Sequence, residues 1–186
     1  MHSKSQKNLD IKIHFLVLRC QVGDQYAFRE LHLQFHQFTL RFLLSLVKSE
    51  EAYDLNQDVW ILIYQKIASL DDASRFKYWL YRITRNKAMD YLRKNKRMDY
   101  FDELDAIVPP QVSVFNEKDE DLINHKLIDM AREELSSKLN EVVELFYFQG
   151  MDYEEIAFII GCSVGTVKSR LYNAKDKIKK WINKNY

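Results

Sequence analysis

Apolar residues recur three and four positions apart along most of the chain, which is the spacing of one face of an α-helix. The longest such stripe follows Asp24, and we expect this residue to cap the helix that carries it. A continuous apolar stripe on one side indicates a helix packed against a core. The members of the stripe are Phe28, Leu31, Phe35, Phe38, Phe42 and Leu46.

Three more helices are predicted in the same half of the chain, over residues Leu9–Val22, Glu50–Ala68 and Ser74–Arg97, with Ser74 as the N-cap of the last. A polar loop separates the last two helices. The inward residues expected are Ala52, Leu55, Val59, Leu62 and Ile63 in one of these helices and Phe76, Trp79, Leu80 and Ile83 in the next.

The helical pattern stops at residues 98–120, which are acidic and hold both prolines of the chain. This stretch is predicted to be a flexible linker. Four further helices are predicted at 121–135, 137–149, 152–160 and 163–181, the second of them ending at Gly150. The expected fold class is therefore all-α, with two small helical domains (residues 9–97 and 121–182) joined by the linker.

The segment from Tyr153 to Leu171 predicts a helix-turn-helix. Gly161 interrupts an apolar helix and permits a left-handed turn, and Ser163 is a good N-cap for the next helix. Val167 and Leu171 follow at one-turn spacing, so they are expected on the buried side of that helix. Its other side carries short polar and basic groups of the kind that reach phosphates and base edges: Thr166, Lys168, Ser169 and Arg170. An ordinary helical hairpin with a solvated basic face is the alternative.

Charge is segregated although the whole chain carries only +1. Residues 75–97 hold nine basic residues against Asp90, a net +8, and residues 99–121 hold eight acidic residues against Lys118, a net −7. Residues 161–186 hold seven basic residues against Asp176, a net +6. Two basic blocks suit a chain that contacts a polyanion at two places, whereas solvated helix faces are the plainer interpretation.

Other chemistry is weakly indicated. Cys20 and Cys162 are too few and too far apart to suggest a disulfide framework or a zinc site. His32 and His36 have i, i+4 spacing, but no third ligand is evident, so we expect no metal and no other cofactor. No acid–base set or glycine-rich phosphate loop is visible, so no enzymatic activity is expected. No apolar run reaches the ~18 residues of a membrane span, which favours a cytoplasmic protein without membrane insertion.

Residues 52–67 (AYDLNQDVWILIYQKI) with 76–97 (FKYWLYRITRNKAMDYLRKNKR) resemble region 2 of the extracytoplasmic-function (ECF) sigma factors, within the sigma-70 family. Residues 139–180 (LNEVVELFYFQGMDYEEIAFIIGCSVGTVKSRLYNAKDKIKK) resemble region 4 of the same family. The two motif sets occur in the family's order, with a linker between them. The resemblance implies a dissociable RNA polymerase subunit that directs transcription initiation at particular promoters.

For region 2, residues 9–97, the resemblance implies binding to the β′ clamp helices of core polymerase through Asp54, Leu55, Gln57, Asp58 and Trp60. Asp54 and Asp58 lie one turn apart and could meet arginines, although Trp60 could equally be a core residue. The fourth helix and the loop before it are expected to recognise and melt the −10 element. The candidate contacts there are Ser74, Lys77, Arg82, Arg85, Asn86 and Arg93, with Tyr78, Trp79, Tyr81 and Tyr91 interleaved among them.

For region 4, residues 121–182, the resemblance implies that the helix-turn-helix at 153–172 reads the −35 element in the major groove and that the domain meets the β flap. The candidate contacts are Ser163, Thr166, Lys168, Ser169, Arg170 and Lys175. Family members are often held by a membrane-bound anti-sigma factor, so such a partner is possible. The chain departs from the family pattern at two positions. Asn140 follows Leu139 where the family commonly has Pro, and Tyr53 stands before Asp54 where it often has Glu. These departures bear on the affinity for polymerase.

Two other classes of protein compete with the sigma factor interpretation. A transcription regulator with a helical sensory N-terminal domain would share the helix-turn-helix. It would lack a basic and aromatic helix such as residues 75–97. A helical enzyme that binds a phosphorylated substrate would need a convergent acid–base set, and none is visible.

Overall fold

The structure is a computed structural model that describes residues 2–95 and 130–185, with side chains for 8–95, 130–132 and 134–185. It divides into an N-terminal unit, Met1–Lys94, and a C-terminal unit, Asn95–Tyr186. The described part of the chain is helical and contains no strand. The all-α prediction is therefore confirmed. The predicted linker, 98–120, and most of the predicted helix at 121–135 lie outside the described residues.

The N-terminal unit has four long helices. Asp24 caps the second one as predicted, since its carboxylate accepts hydrogen bonds from the backbone N–H groups of Tyr26 and Ala27. Two short 3₁₀ turns, Ile67–Ser69 and Ala73–Arg75, connect the third helix to the fourth. The helices are α1 (His2–Gln21), α2 (Gln25–Val47), α3 (Glu51–Lys66) and α4 (Phe76–Lys94).

Aromatic rings form much of the core of the N-terminal unit. Phe42 of α2 meets Tyr81 of α4 edge to face, with 5.4 Å between ring centroids, and Phe35 meets Phe76 at 5.7 Å. Such edge-to-face pairs add to the free energy gained by burying the rings. Tyr81 is fully buried, so the prediction that it offers a surface platform for bases is wrong. Its neighbours Tyr78 and Trp79 remain half-exposed.

A polar cluster between α2 and α3 is a feature that the hydrophobic pattern did not predict. Thr39, fully buried, donates a hydrogen bond from Oγ1 to Asn56 Oδ1 at 2.7 Å and accepts one from Trp60 Nε1 at 3.1 Å. Thr39 takes an inward position that the apolar stripe assigned to Phe38. Phe38 lies at the edge of the stripe and is 42% exposed, so its predicted burial is wrong.

The start of α4 also differs from the prediction. Ser74 does not cap a helix that begins beside it, because it lies inside the second 3₁₀ turn. Asp72 is the capping residue, since its carboxylate accepts hydrogen bonds from both the backbone N–H and the hydroxyl of Ser74. These bonds hold the pKa of the Asp72 carboxyl below its usual range. A charged cap therefore sets the entry to α4.

The C-terminal unit contains α5 (Ser137–Val143), α6 (Tyr153–Ile160) and α7 (Val164–Asn185). A single helix was predicted over 137–149, but α5 changes to a π-helical turn at Glu144–Phe148. Gly150 then adopts a positive φ of 63°, which fits its predicted place after the helix. The apolar core of this unit joins α5 and the residues just before it to α7. Its members are Ala131, Leu135, Leu139, Val143, Ala174 and Ile178.

A buried ion pair lies under the π-helical turn. Arg132 Nη1 is 2.8 Å from Glu144 Oε2, and the Glu144 side chain has no exposed surface. Arg132 also donates from Nε to Asn140 Oδ1 at 2.6 Å, and Gln149 Nε2 donates to Glu144 Oε1 at 2.8 Å. Further hydrogen bonds therefore support the pair at Arg132 Nε and Glu144 Oε1, whereas Glu144 Oε2 has the Arg132 charge beside it but no hydrogen-bond donor.

Candidate nucleic-acid and polymerase surfaces

The helix-turn-helix is built from three local signals. Asp152 and Glu155 form a capping box at the start of α6, each side chain accepting a hydrogen bond from the other's backbone N–H. Gly161 ends α6 with φ 75°, the left-handed conformation predicted for it. Ser163 then caps α7, its Oγ accepting from Thr166 N at 3.1 Å. Ile156, Ala157 and Ile160 of α6 are buried, and so are Val167 and Leu171 of α7, the two residues predicted for its buried side.

The exposed side of α7 carries most of the residues predicted to contact DNA. Ser163 is exposed, and Thr166, Lys168, Ser169 and Lys175 are half-exposed. Arg170 is different, because it lies on the packed side of the helix and is 8% exposed. Its predicted role as a direct DNA contact is therefore corrected to a role in the interior of the unit.

Two residues on this side of α7 were not predicted. Tyr172 is 52% exposed and follows Ser169 by three positions, so both lie on the same helix face. Gly165 is exposed in the first turn, and a Cβ there would meet only Ser163 Oγ at 3.6 Å, an ordinary contact. The sequence signal for Tyr172 is its place on the outward face, three residues beyond Ser169.

Two lysines of α7 lie over aromatic rings. Lys168 Nζ is 5.4 Å from the centroid of the Tyr153 ring, and Lys175 Nζ is 5.9 Å from that of Tyr147. These distances fall within the range of cation–π attraction. Phe146 stacks on Tyr153, with 5.3 Å between centroids and 4° between ring planes. Because Lys168 and Lys175 are seven residues apart, they lie along one edge of α7.

The exposed face of α4 combines basic and aromatic groups. Arg82, Asn86 and Arg93 are exposed and lie four and seven residues apart, so they share one face of the helix. Lys77 and Arg85 are half-exposed. Arg93 forms an ion pair with Asp90, one turn earlier on the same helix. The face is basic, and a carboxylate already offsets part of its charge.

The loop before α4 is anchored by α1. Gln21 Nε2 donates hydrogen bonds to the carbonyl oxygens of Ile67 at 3.3 Å and Leu70 at 2.7 Å. Ser74 is exposed in the 3₁₀ turn that follows. The loop is therefore held at both ends, by Gln21 and by the Asp72 cap, while its middle faces solvent.

The outward face of α3 is acidic near its start and apolar further along. Asp54, Gln57 and Asp58 are exposed, as a docking surface requires. Leu55 and Trp60 are 8% and 5% exposed, and Trp60 is bonded to Thr39, so both are corrected from direct contacts to supports of the helix. The large exposed residues beside the acidic groups are Tyr53, Ile61 and Tyr64.

Two further features mark the α3 face. Glu50, Glu51, Tyr53 and Asp54 line an open groove at the start of the helix. Asp58 Oδ2 is 2.9 Å from Lys87 Nζ, so an ion pair joins α3 to α4. The groove is acidic and aromatic, a combination that suits an arginine side chain.

The remaining titratable groups give no sign of a catalytic or metal site in the part of the chain that the structure describes. No cluster of three possible metal ligands occurs there. Burial raises the pKa of the Cys20 thiol to about 11, which keeps it protonated. His32 and His36 stack at 5.0 Å between ring centroids, and burial together with His36 lowers the pKa of His32.

Comparison with known families identifies the family of the chain. A sequence model of sigma-70 region 2 matches residues 29–98, and one of sigma-70 region 4 matches residues 125–178. The ECF RNA polymerase sigma-E factor of Escherichia coli (strain K12) is 31% identical over 172 residues, which are 88% of this chain and 90% of that protein. The chain belongs to the ECF sigma factors.

Other family members agree with this assignment. The RNA polymerase sigma-H factor of Pseudomonas aeruginosa is 31% identical over 180 residues, covering 89% of this chain and 91% of that protein. The sigma factor RpoE of Bartonella quintana, solved in complex with the anti-sigma factor NepR, has a TM-score of 0.63 at 28% identity and matches 86% of this chain and 98% of that one. CnrH, solved with the cytosolic domain of CnrY, has a TM-score of 0.66 and matches 94% and 99%; at 21% identity it supports the fold alone.

Membership in this family confirms the function expected from the sequence. The chain is a sigma factor that directs transcription initiation. Members of the family act as initiation factors rather than as enzymes. Across the residues described by the structure, no helix is both long and apolar enough to cross a bilayer.

Proposed function

We propose that this ECF sigma factor reads promoters through two separate DNA surfaces and binds core polymerase through a third. The observation that carries this proposal is the separation of buried and exposed residues in the helix-turn-helix. Val167, Arg170 and Leu171 face the interior of the C-terminal unit, which leaves Lys168 and Ser169 facing solvent on α7. Short polar and basic side chains on the free face of a second helix suit the DNA major groove.

The −35 element is the proposed ligand of α7. Ser163 and Thr166 lie at its first turn, where backbone N–H groups and the helix dipole favour a phosphate. Lys168, Ser169 and Tyr172 continue along the exposed side. Arg170 supports this surface from beneath and is not proposed as a DNA contact. The wider C-terminal unit, proposed as residues 121–182, would also meet the β flap of the polymerase.

The −10 element is the proposed ligand of α4 and of the loop before it. Arg82, Asn86 and Arg93 give α4 an exposed polar and basic face, while Lys77 and Arg85 flank it. Half-exposed Tyr78 and Trp79 add ring surface of the kind that binds unpaired bases. The loop anchored by Gln21 and Asp72 presents Ser74 to solvent, which suits capture of a base from the opened strand. The proposed domain for this task covers residues 9–97.

Core polymerase is the proposed partner of α3. Asp54, Gln57 and Asp58 form its polar part and would meet basic groups on the β′ clamp helices. Exposed Ile61 and Tyr64 supply apolar surface one turn further along, which resembles the mixture of polar and aromatic groups found in protein interfaces. Leu55 and Trp60 act indirectly, because their burial fixes the helix that carries these groups.

The cellular setting follows from these partners. A subunit of RNA polymerase works in the cytoplasm, and we propose that location for this chain. An anti-sigma factor is a further proposed partner, because the structural relative from Bartonella quintana was solved with one. The proposed chemistry needs no cofactor, since binding energy alone positions the polymerase and opens the DNA.

Run-off transcription with core polymerase and a library of promoters tests the proposal. We expect Ser169→Glu to abolish initiation that depends on the −35 element while core binding persists, because a carboxylate would face the DNA. Asn183→Glu, exposed near the far end of α7, is the matched control and should initiate normally. A chain that binds core polymerase but starts at no promoter would overturn the proposal.

The polymerase surface has its own test. Asp54→Arg should weaken binding to core polymerase, because an exposed carboxylate would be replaced by a cation facing a basic partner. Glu30→Arg makes the same charge change on the exposed side of α2 and should leave core binding intact. Equal losses for the two variants would show that net charge, rather than the α3 face, governs the complex.

A further inference from the structure

One edge of α7 lies beside a group of aromatic rings whose role the family assignment does not explain. We call Phe146, Tyr147 and Tyr153 the aromatic shelf. Phe146 and Tyr147 come from the π-helical turn and meet edge to face at 5.0 Å, and Phe146 stacks on Tyr153 at 5.3 Å. All three rings are half-exposed rather than buried. Their surface is therefore available to the side chains of α7.

The shelf holds two cations at matching positions. Lys168 lies over Tyr153 and Lys175 lies over Tyr147, with the distances from Nζ to ring centroid at 5.4 and 5.9 Å. The two lysines are seven residues apart, two turns of α7, and the two rings follow them along the same edge. One such contact could be incidental. Two in register indicate that the rings fix a row of ammonium groups.

Fixing a lysine matters because its side chain is long and mobile. A lysine that is not held in place loses rotamer entropy when it binds a phosphate. A ring face attracts the ammonium but leaves its N–H donors directed away from the ring available. The ring itself is neutral, so it carries no charge that a phosphate would have to displace.

We propose that Tyr153 and Tyr147 are positioning residues, which hold Lys168 and Lys175 in place for the phosphate backbone of promoter DNA. The proposal rests on the proposed function of α7 as the −35 reader and assigns its phosphate contacts to one edge of that helix. The π-helical turn belongs to the device, because it places Phe146 and Tyr147 beside α7. The buried pair Arg132–Glu144 lies under that turn and holds its first residue.

A double-mutant cycle on Tyr153 and Lys168 tests the proposal. Full-length protein is titrated against a fluorescein-labelled duplex of mixed sequence, since phosphate contacts do not depend on base sequence. Tyr153→Leu should weaken binding about threefold, in line with a cation–π contact at a surface. Lys168→Met should lower the slope of log K against log salt by about 0.9, the loss of one phosphate contact. In the Lys168→Met background, Tyr153→Leu should change affinity no further.

Two controls separate positioning from folding. Tyr153→Phe keeps the ring and should retain the affinity of the unaltered chain, so a loss in this variant would overturn the proposal. Losses that add up in the double variant would overturn it too, because they would mean that Tyr153 acts without Lys168. If the unaltered chain showed no salt-dependent binding, the proposed function would fail as well. Additive losses in a chain that does bind would overturn the shelf alone.

Discussion

Cations on the basic helices of the N-terminal and C-terminal units lie beside different kinds of group. On α4 these groups are carboxylates: Arg93 pairs with Asp90, and Lys87 pairs with Asp58. On α7, Lys168 and Lys175 lie over aromatic rings. A carboxylate competes with a phosphate for the same cation, whereas a neutral ring does not carry a charge that must be displaced.

This difference indicates different tasks for the two surfaces. If α7 binds duplex DNA as we propose, two of its lysines lie over neutral rings when the DNA arrives. The carboxylates beside α4 offset part of its charge, and we expect a partner that binds this surface to replace them. For Lys87 that replacement is linked to polymerase, because its partner Asp58 lies on the proposed docking face of α3. A basic group of the polymerase that bound Asp58 would release Lys87.

The largest expected effect comes from a buried cation of the C-terminal unit, Arg132. Arg132→Met would leave the fully buried Glu144 without its cationic partner beneath the π-helical turn. We expect a loss of about 3 kcal/mol in the stability of the C-terminal unit, the usual cost of removing one partner of a buried pair. Amide hydrogen exchange of residues 137–185 in the full chain would measure it.

The matched control for Arg132 is Arg93→Met, which removes an arginine from an exposed ion pair on α4. Exposed pairs contribute at most about 1 kcal/mol, so exchange in the N-terminal unit should change little. A comparable loss in both variants would mean that burial does not distinguish the cations of the two units.

A smaller effect should separate ring-held from carboxylate-held lysines within one helix. Lys168 lies over Tyr153, whereas Lys180 is 2.7 Å from Asp176, and that hydrogen bond raises the pKa of Lys180. Lys168→Met should lower the salt slope for duplex binding by about 0.9, whereas Lys180→Met should lower it less because its charge is already offset. Salt titrations of both variants decide the matter, and equal slopes would contradict the comparison.

The next effect has the opposite sign. Asp90→Asn should raise the affinity of the full chain for single-stranded DNA about twofold, because Arg93 would no longer pair with the Asp90 carboxylate. The gain is small, since an exposed ion pair contributes up to about 1 kcal/mol. Asp10→Asn removes the same charge from exposed α1 and serves as the control. An equal gain in the control would assign the effect to net charge.

The fold could be predicted from the sequence to the extent that spacing determines it. Asp24, Gly161 and Ser163 have the local roles expected of them, because a cap or a left-handed turn depends on neighbours within a few residues. The π-helical turn was not predictable from spacing. Its first residue, Glu144, is paired with Arg132 twelve positions earlier, and Arg132 also bonds to Asn140 eight positions away, so these contacts lie beyond the reach of local spacing.

The candidate sites were predicted by residue type better than by exposure. Asp54 and Ser169 lie on free helix faces, but Arg170, Leu55 and Trp60 are buried. A helical sequence motif contains residues from both the exposed and the buried side of the helix, so it does not by itself show which of them lie on the surface. The hydrogen bond from Trp60 to Thr39 shows which side of α3 faces the core.

The smallest expected effect is a change of stability with pH, which should distinguish the N-terminal unit from residues 130–185. Residues 130–185 contain no histidine, whereas His32 and His36 stack beside Trp60 in the N-terminal unit. The pKa of His32 is lowered in the folded chain, so the unfolded chain binds the proton more readily. Stability from this residue is therefore fully present above about pH 6.5 and falls as the pH drops below that value.

The measurement is denaturant unfolding of the N-terminal unit in the full chain between about pH 7.5 and 5, followed by the exchange of amides in residues 8–94. His32→Asn has no imidazole to protonate and should lose less stability over this range than the unaltered chain. His14→Asn, a substitution on α1, is the control and should follow the unaltered chain, because His14 is not part of the stacked pair His32–His36. Equal acid sensitivity of residues 137–185 would show that groups other than the stacked histidines dominate the response.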